Sequence, residues 1–260
     1  MPIPSADVID EAAARILVWD GCVNVRELGG IPTEDGGITR AGSVIRSDTL
    51  GALTPAGWRA LEDHGIERIV DLRWPEEQAE DPPRSVDIEV LHVSVLGPTL
   101  EDARAFLKTL DEHVDAVDDM ADHFAWSYVE FLERNRERFG HAMSAIADAP
   151  GPVVIHCVGG KDRTGLVVAL LLRIAGVALD EIGRDYSLSG PNLAASRQEW
   201  LDSAPTDLDR RRREKLSQTP ATAMSRVIAE IEQRYGSVAG YLEAAGLEPS
   251  QIRRLRERLR

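Results

Sequence analysis

The sequence predicts an α/β fold with a mostly parallel central sheet flanked by helices, followed by a helical C-terminal third. Two observations favour this class. Short apolar runs of strand length near 66–72, 86–93 and 153–155 alternate with longer segments of helical periodicity, as expected where helices join parallel strands. From residue 178 onwards every apolar segment repeats at helical spacing. The chain therefore reads as a single domain over 1–260, with 178–260 as its helical C-terminal part.

Composition narrows the possible functions. The 260 residues are 43% apolar, enough for a sizeable core. A net charge of −14 argues against nucleic-acid binding and against adsorption to a membrane surface. The two cysteines, Cys22 and Cys157, are too few for a disulfide framework, and we expect no disulfide between them.

The expected location is the cytoplasm. The N-terminal residues 1–15 lack the basic start and continuous apolar core of a signal peptide. No run of ~18 apolar residues is present, so no stable membrane insertion is expected.

The first half of the chain predicts short elements in a clear order. Residues 12–20 are ambiguous, because the alanine-rich start favours a helix whereas 16–19 favour a strand. Gly36 and Gly37 predict a hairpin turn before a strand at 43–46. Thr54 as N-cap and Pro55 at the first helical position predict a helix to about His64. Strands are expected at 66–72 and 86–93, with a loop or short helix at 75–85.

A helical region separates these strands from the last one. Residues 97–120 are acidic and have helical periodicity, and we interpret them as a lid over the site; an immobile helical layer is the alternative. Residues 121–148 are interpreted as the crossover to the strand at 153. Further helices are expected near 179–188, 206–216, 220–235, 237–245 and 248–259.

The most informative stretch is residues 154–165, VIHCVGGKDRTG. A strand ends at His156, a glycine-containing loop follows Cys157, and an apolar segment of helical length begins at Gly165. Backbone N–H groups in such a loop, together with the helix dipole, favour a tetrahedral oxyanion and a thiolate. Arg163 can hold two phosphate oxygens with its planar guanidinium. The candidate phosphate-binding residues are Val158, Gly159, Gly160, Lys161 and Arg163.

Two other interpretations of this loop are weaker. A cysteine at a strand end is commonly a small buried apolar residue, but here it begins a Cys-x5-Arg-Thr pattern between strand and helix. The Gly-Lys pair could belong to an ATP-binding loop, but that pattern requires Gly and Ser or Thr where this chain has Ile155 and Asp162. A nucleophilic Cys157 attacking phosphorus is the better hypothesis.

Several ordered motifs resemble one family. NVRELGG (24–30), RSDTL (46–50), IVDLR (69–73), HCVGGKDRTG (156–165), DYSLS (185–189) and YGSVAGYLEAAGL (235–247) are similar, in this order, to those of bacterial tyrosine and lipid phosphatases with a Cys-x5-Arg loop. The resemblance implies a cysteine-phosphatase fold, a helical lid, and hydrolysis of phosphotyrosine and often of phosphoinositides. The chain departs from the pattern at Val25, Glu27 and Trp74-Pro75, none of them catalytic.

Roles can be assigned to the loop and its surroundings. Cys157 is the predicted nucleophile, Arg163 and the loop amides stabilise the equatorial oxygens, and Thr164 donates to the cysteine sulfur. His156 orients the loop from below. The resemblance assigns Asp162 as the acid that protonates the leaving group, while Asp71, at a strand end, and Glu76 are the alternatives. Further supporting residues are Asn24, Arg26, Asp71 and Arg73.

Other function classes remain as alternatives. A sulfurtransferase also places a cysteine in an anion-binding loop, and a catalytically weak phosphate-binding or adaptor module would need no acid. The six histidines are scattered without metal-ligand spacing, so neither a metal nor a cofactor is expected. The expected partners are phosphorylated proteins or phosphoinositides as substrates, and no nucleic acid.

Overall fold

A five-stranded sheet organises the computed structural model, which describes residues 14–82, 84 and 87–260. The strands are β1 (Arg26–Glu27), β2 (Val44–Ser47), β3 (Arg68–Asp71), β4 (Glu89–His92) and β5 (Val153–His156). Their order across the sheet is β1-β2-β5-β3-β4, and only β1 runs antiparallel to its neighbour. The predicted α/β class with a mostly parallel sheet is confirmed.

Helices cover both faces of the sheet. A short 3₁₀ turn (Leu50–Ala52) and α1 (Pro55–Asp63) follow β2, α2 (Pro75–Glu80) follows β3, and α3 (Leu100–Ala116), α4 (Met120–Arg134) and α5 (Arg136–Ala147) lie between β4 and β5. After β5 come α6 (Asp162–Ile174), α7 (Leu179–Ser187), α8 (Ser189–Asn192), α9 (Ala194–Asp202), α10 (Asp207–Leu216), α11 (Ala221–Tyr235), α12 (Val238–Ala244) and α13 (Pro249–Arg258).

Alternating side chains of the central strand enter two separate hydrophobic cores. Val153 and Ile155 join the larger core, which contains α4 to α7 and α11 to α13. Val154 points to the smaller core, where it meets Trp58 and Leu61 of α1. Both faces of the strand are therefore buried, which explains why residues 153–155 are apolar without alternation.

Local signals in the sequence explain several boundaries. The Thr54 hydroxyl accepts hydrogen bonds from the amides of Ala56 and Gly57, both at 3.2 Å, so the predicted cap begins α1. Every residue of 163–172 is buried, which requires the apolar character of α6 on all sides. Among the described residues, no helix combines the length and apolarity needed to cross a bilayer.

Some predicted elements differ from the structure. The single crossover expected at 121–148 is two helices that break at Asn135. Helices α8 and α9 were not predicted, because α9 buries only Leu201 and carries no apolar stripe. Residues 97–120 contain α3, which buries Ala103, Leu110 and Val114 and packs against α4 and α10; their action as a lid stays a prediction. The N-terminal residues 1–13, including those used to exclude a signal peptide, and residues 83, 85 and 86, including the expected start of β4, lie outside the described residues.

Candidate active site

The site lies where three parallel strands end. Ser47, His156 and Asp71 are paired neighbours at the carboxyl ends of β2, β5 and β3. Ligand sites of α/β sheets gather at this edge. Cys157 follows β5 directly and is buried, and α6 begins five residues later at Asp162.

The loop after Cys157 is held from outside through its carbonyl groups. Three successive carbonyl oxygens accept hydrogen bonds: Val158 from the Thr49 amide at 2.8 Å, Gly159 from Asn24 Nδ2 at 2.9 Å and Gly160 from Arg46 Nη2 at 2.5 Å. The N–H of each of these peptides points the opposite way, towards the interior of the loop. The amides of Gly159, Gly160 and Lys161 thus form a concave anion-binding surface.

Gly160 is the glycine that this arrangement requires. Its φ is +63°, and a Cβ atom there would lie 2.3 Å from the Ser47 carbonyl oxygen. No other residue could bring the loop so close to β2. Val158, by contrast, exposes 44% of its surface and contributes to the loop through its backbone.

Arg163, in the first turn of α6, is fixed by Glu77 of α2 and by Trp74, the residue that precedes α2. Its Nη1 and Nη2 atoms donate to the two carboxylate oxygens of Glu77 at 2.5 and 2.8 Å, and its guanidinium carbon lies 4.8 Å from the centre of the Trp74 ring. Burial alone would lower the pKa of Arg163, but the hydrogen bonds to Glu77 and the nearby Cys157 raise it. Arg163 is therefore a permanent cation beside the cysteine.

Glu77 is a site residue that the sequence reasoning missed. Its carboxylate also accepts a hydrogen bond from the Trp74 amide at 2.8 Å, as expected for a Glu three residues after a helix N-cap. The Trp-Pro-Glu-Glu run therefore contained a signal for the helix start, though none for the contact with Arg163.

A buried carboxylate, Asp185 of α7, supports the loop from behind. It pairs with Arg15, Arg26 and Arg46 at 2.9, 3.1 and 2.6 Å. Burial opposes the ionised form, but these three arginines hold the pKa of Asp185 far below its usual range. The predicted supporting residues Asn24 and Arg26 belong to this network, because Arg26 Nη1 donates to Asn24 Oδ1 at 2.6 Å. Arg46 and Asp185 were missed as site residues, although RSDTL and DYSLS had marked their positions.

Asp71 is occupied by structural contacts. Its carboxylate accepts hydrogen bonds from Arg73 Nη2 at 2.9 Å and Gln78 Nε2 at 2.8 Å. Burial raises the pKa of Asp71, but the hydrogen bonds from Arg73, the charge of His156 and the Gln78 bond outweigh it and lower the pKa to about 2. A buried carboxylate that stays ionised is a poor proton donor, so the geometry favours its supporting role.

His156 and Arg73 extend this layer beneath the loop. His156 is buried with Nε2 3.8 Å from Asp71 Oδ2, and burial is the main cause that lowers the His156 pKa. Arg73 Nη1 donates to Thr49 Oγ1 at 3.2 Å, and the Thr49 amide in turn binds the loop. Both residues lie beside the loop, and their supporting role stays a prediction.

Of the other two candidate acids, only Asp162 lies in the loop. Glu76 accepts a hydrogen bond from the Leu100 amide at 3.2 Å, at the start of α3. Asp162 precedes Arg163, exposes 45% of its side-chain surface, and accepts a hydrogen bond from the Tyr128 hydroxyl. Asp162 is thus the partly exposed candidate that lies in the loop itself.

Two loop residues differ from their predicted placement. Lys161 was expected at the tip of the loop, but it is buried, and its Nζ donates to the carbonyl oxygen of Leu216 at 2.6 Å, above the Phe124 ring. Thr164 was expected to donate to the Cys157 sulfur. Its side chain instead lies wholly in the interior of the first α6 turn, where Oγ1 has no hydrogen-bond partner within the described residues.

The cysteines and potential metal ligands add two further observations. Cys22 and Cys157 are both free thiols. Within the described part of the chain, no three His, Cys, Asp or Glu side chains are grouped so that they could hold a metal ion.

Sequence comparison agrees with this geometry. A sequence model of the tyrosine phosphatase family matches residues 17–260. The chain is 28% identical to a tyrosine-protein phosphatase of Nostoc commune, over 84% of this chain and 74% of the relative. It is 30% identical to the triple specificity protein phosphatase PtpB of Mycobacterium tuberculosis, over 84% of this chain and 90% of the relative.

A buried thiol at the start of a backbone anion-binding loop, with an arginine beside it, defines a phosphate-handling α/β site. The chain belongs to the tyrosine phosphatase family. The family resemblance inferred from the ordered motifs and the predicted hydrolase class are both confirmed.

Proposed function

We propose that the protein hydrolyses phosphotyrosine in proteins through a phosphocysteine on Cys157. The observation that carries the proposal is the loop itself, in which three inward amides and Arg163 surround the position where the phosphoryl oxygens would lie beside the thiol. These donors match the equatorial oxygens, on which charge is concentrated during phosphoryl transfer.

The reaction has two steps. The Cys157 sulfur forms a bond to phosphorus while the bond to the tyrosine oxygen breaks, and the Asp162 carboxyl gives its proton to that oxygen. In the second step the Asp162 carboxylate takes a proton from water, which attacks phosphorus and releases phosphate and the cysteine.

The proposal extends to phosphoinositides as a second class of substrate. It rests on the motif resemblance, while a relative of this chain carries the name triple specificity protein phosphatase. A phosphate-release panel of phosphotyrosine, phosphoserine and phosphothreonine peptides and of phosphoinositides ranks these substrates directly. Exclusive release from phosphotyrosine would remove the lipid part of the proposal.

Two substitutions test the nucleophile and the cation. Cys157→Ser and Arg163→Lys should each lose nearly all turnover, because serine is not ionised here and lysine cannot make the bidentate contact. Cys22→Ser is the matched control. Rapid acid quench with a radiolabelled phosphotyrosine peptide should trap phosphate on the wild type and on Cys22→Ser alone. Retention of more than ~1% of the wild-type rate by Cys157→Ser would rule out covalent catalysis by this residue.

Asp162 is tested by the leaving group. Asp162→Asn should lower kcat strongly for alkyl phosphates and much less for p-nitrophenyl phosphate, whose leaving oxygen hardly needs a proton. An equal loss for both substrates would make Asp162 structural. Inhibition by vanadate, a phosphate mimic, separates this activity from that of a sulfurtransferase.

A further inference from the structure

We infer that Tyr128 is a positioning residue that anchors one oxygen of the Asp162 carboxyl and leaves the other, Oδ2, to give and take the catalytic proton. Tyr186 in turn fixes the direction of the Tyr128 hydroxyl. The inference rests on the proposed function, because it assigns a role within the acid–base step of that reaction.

The two tyrosines form a directed hydrogen-bond chain. The Tyr128 hydroxyl donates to Asp162 Oδ1 and lies 2.8 Å from the Tyr186 hydroxyl. A phenol has only one proton to donate. Since Tyr128 gives its proton to Asp162, it must accept from Tyr186, so donation runs from Tyr186 through Tyr128 to Asp162.

Both tyrosine hydroxyls stay protonated and therefore remain hydrogen-bond donors. Each is buried, with only 1% of its surface exposed, and the two rings meet edge to face with centroids 6.0 Å apart. Burial, reinforced by the charge of Asp162, raises the pKa of Tyr128 and of Tyr186 well above the usual value. Neither hydroxyl therefore loses its proton during turnover.

The two Asp162 oxygens are in different environments. Oδ1 accepts from Tyr128 and also lies 3.3 Å from Lys161 Nζ, whereas no hydrogen bond to Oδ2 is seen among the described residues. Two donors make Oδ1 the less basic oxygen, so the proton of the neutral carboxyl resides on Oδ2. The side chain that carries Oδ2 exposes 45% of its surface.

The anchoring has a direct consequence for each step. In the first, the proton leaves Oδ2 for the departing oxygen, and the new carboxylate charge is stabilised at Oδ1 by Tyr128. In the second, Oδ2 takes one proton from water as the phosphocysteine breaks. Tyr128 and Tyr186 keep their protons throughout, so they orient and stabilise the acid without acting as one.

Position in the fold supports the assignment. Tyr186 follows Asp185, whose carboxylate binds Arg46, and Arg46 holds the Gly160 carbonyl. Two neighbouring residues of α7 thus reach the same loop. Asp185 does so through Arg46 and the Gly160 carbonyl, and Tyr186 does so through Tyr128 and the Asp162 carboxyl. These two contacts give a physical reason for the Asp-Tyr pair in the DYSLS motif.

Three matched substitutions test the inference. Tyr128→Phe and Tyr186→Phe remove one hydroxyl each and keep the rings. Tyr241→Phe is the control, because its buried hydroxyl donates to the Leu132 carbonyl at 2.9 Å, away from the loop. The measurement is kcat/KM for phenyl phosphate, a poor leaving group, and for p-nitrophenyl phosphate, across the pH range, with melting curves for each variant.

Tyr128→Phe should lower kcat/KM about tenfold for phenyl phosphate and less than about twofold for p-nitrophenyl phosphate. Tyr186→Phe should show the same pattern more weakly, and Tyr241→Phe should show no leaving-group dependence.

The results separate this inference from the function on which it rests. Equal losses for both substrates in Tyr128→Phe would overturn the positioning role while Cys157-dependent hydrolysis stands. If the wild type releases no phosphate, or Cys157→Ser is as active, the proposed function fails first. If Tyr128→Phe does not fold, the leaving-group dependence of Tyr186→Phe decides the question, because the Tyr186 hydroxyl binds Tyr128 and acts on Asp162 only through it.

Discussion

Glu77 and Arg163 face each other end-on, with Nη1 and Nη2 of the guanidinium on the two carboxylate oxygens at 2.5 and 2.8 Å. Trp74 lies against the same guanidinium, so its orientation is fixed from two sides. No hydrogen bond of Arg163 Nε is seen within the described residues, and this edge is left for phosphate. Glu77 therefore positions the cation without occupying its whole donor set.

Removal of Glu77 should impair catalysis. Glu77→Ala is expected to lower kcat/KM for p-nitrophenyl phosphate by roughly 10- to 100-fold, because a misdirected Arg163 loses its alignment with the phosphoryl oxygens. Glu77→Gln, which keeps an acceptor, should lose less. Glu80→Ala, an exposed site on the same helix, serves as control. A Glu77→Ala enzyme faster than the wild type would show that Glu77 competes with phosphate instead.

Local chemistry explains what the sequence could predict. The residues from Cys157 to Arg163 are contiguous, so the glycines and the strand–helix change reveal the anion loop without any long-range information. The cap at Thr54 is equally local, and α1 begins where the sequence places it. Such features depend on neighbours within one turn.

Tertiary packing explains what the sequence concealed. Glu77 lies 86 residues before Arg163, and Tyr128 lies 34 residues before Asp162. The sequence around a lone Glu in a charged run, or around a Tyr on an apolar helix face, does not indicate which distant residue it will contact. Lys161 was misplaced for the same reason, because the carbonyl it binds belongs to Leu216 of a distant helix.

Acid should destabilise the fold through two buried aspartates. Asp71 and Asp185 are both more acidic in the folded chain than in the unfolded chain. Their stabilisation is therefore complete above the ordinary aspartate pKa of about 3.9, and it is lost as the pH falls towards 2. Asp71 alone accounts for about 2 kcal/mol. Melting temperatures should stay level between pH 7 and about 5 and then drop.

Asp185→Asn tests the contribution of Asp185 to this acid destabilisation, which should exceed that of Asp71 because the pKa of Asp185 is lowered further. It leaves three arginines around a neutral side chain, and we expect a loss of about 3–5 kcal/mol in the free energy of unfolding, with a weaker acid dependence. Asp180→Asn, on the exposed side of the same helix, is the control. If both variants melt alike at pH 7, the arginine cluster does not need its carboxylate.

Cys22 should resist alkylation in the native protein. Its thiol donates to the Thr49 carbonyl at 3.3 Å, and burial, followed by the charge of Asp48, raises its pKa to about 12. Iodoacetamide at pH 7 should therefore label Cys22 only after unfolding. Mass spectrometry of unreduced protein should find no Cys22–Cys157 bridge. Bridged peptides in most molecules would contradict the expectation of two free thiols.

Lys161 links the phosphate loop to the end of α10 and to the residues that follow this helix. Its Nζ donates to the carbonyls of Leu216 at 2.6 Å and Gln218 at 3.4 Å, and lies 4.8 Å from the centre of the Phe124 ring. The ammonium is therefore buried and is not presented at the surface of the loop. We therefore expect Lys161 to stabilise the loop rather than to contact one class of substrate.

Lys161→Met should accordingly lower the melting temperature and reduce turnover of p-nitrophenyl phosphate and of a soluble phosphoinositide by similar factors, within about threefold of each other. Methionine keeps an apolar stem but removes the ammonium, with its hydrogen bonds and its charge. Lys108→Met, at an exposed position on α3, controls for the change in net charge. A selective rise in KM for the phosphoinositide, with the melting temperature and p-nitrophenyl phosphate kinetics unchanged, would contradict the buried role. It would restore Lys161 as a direct contact for a second anionic group.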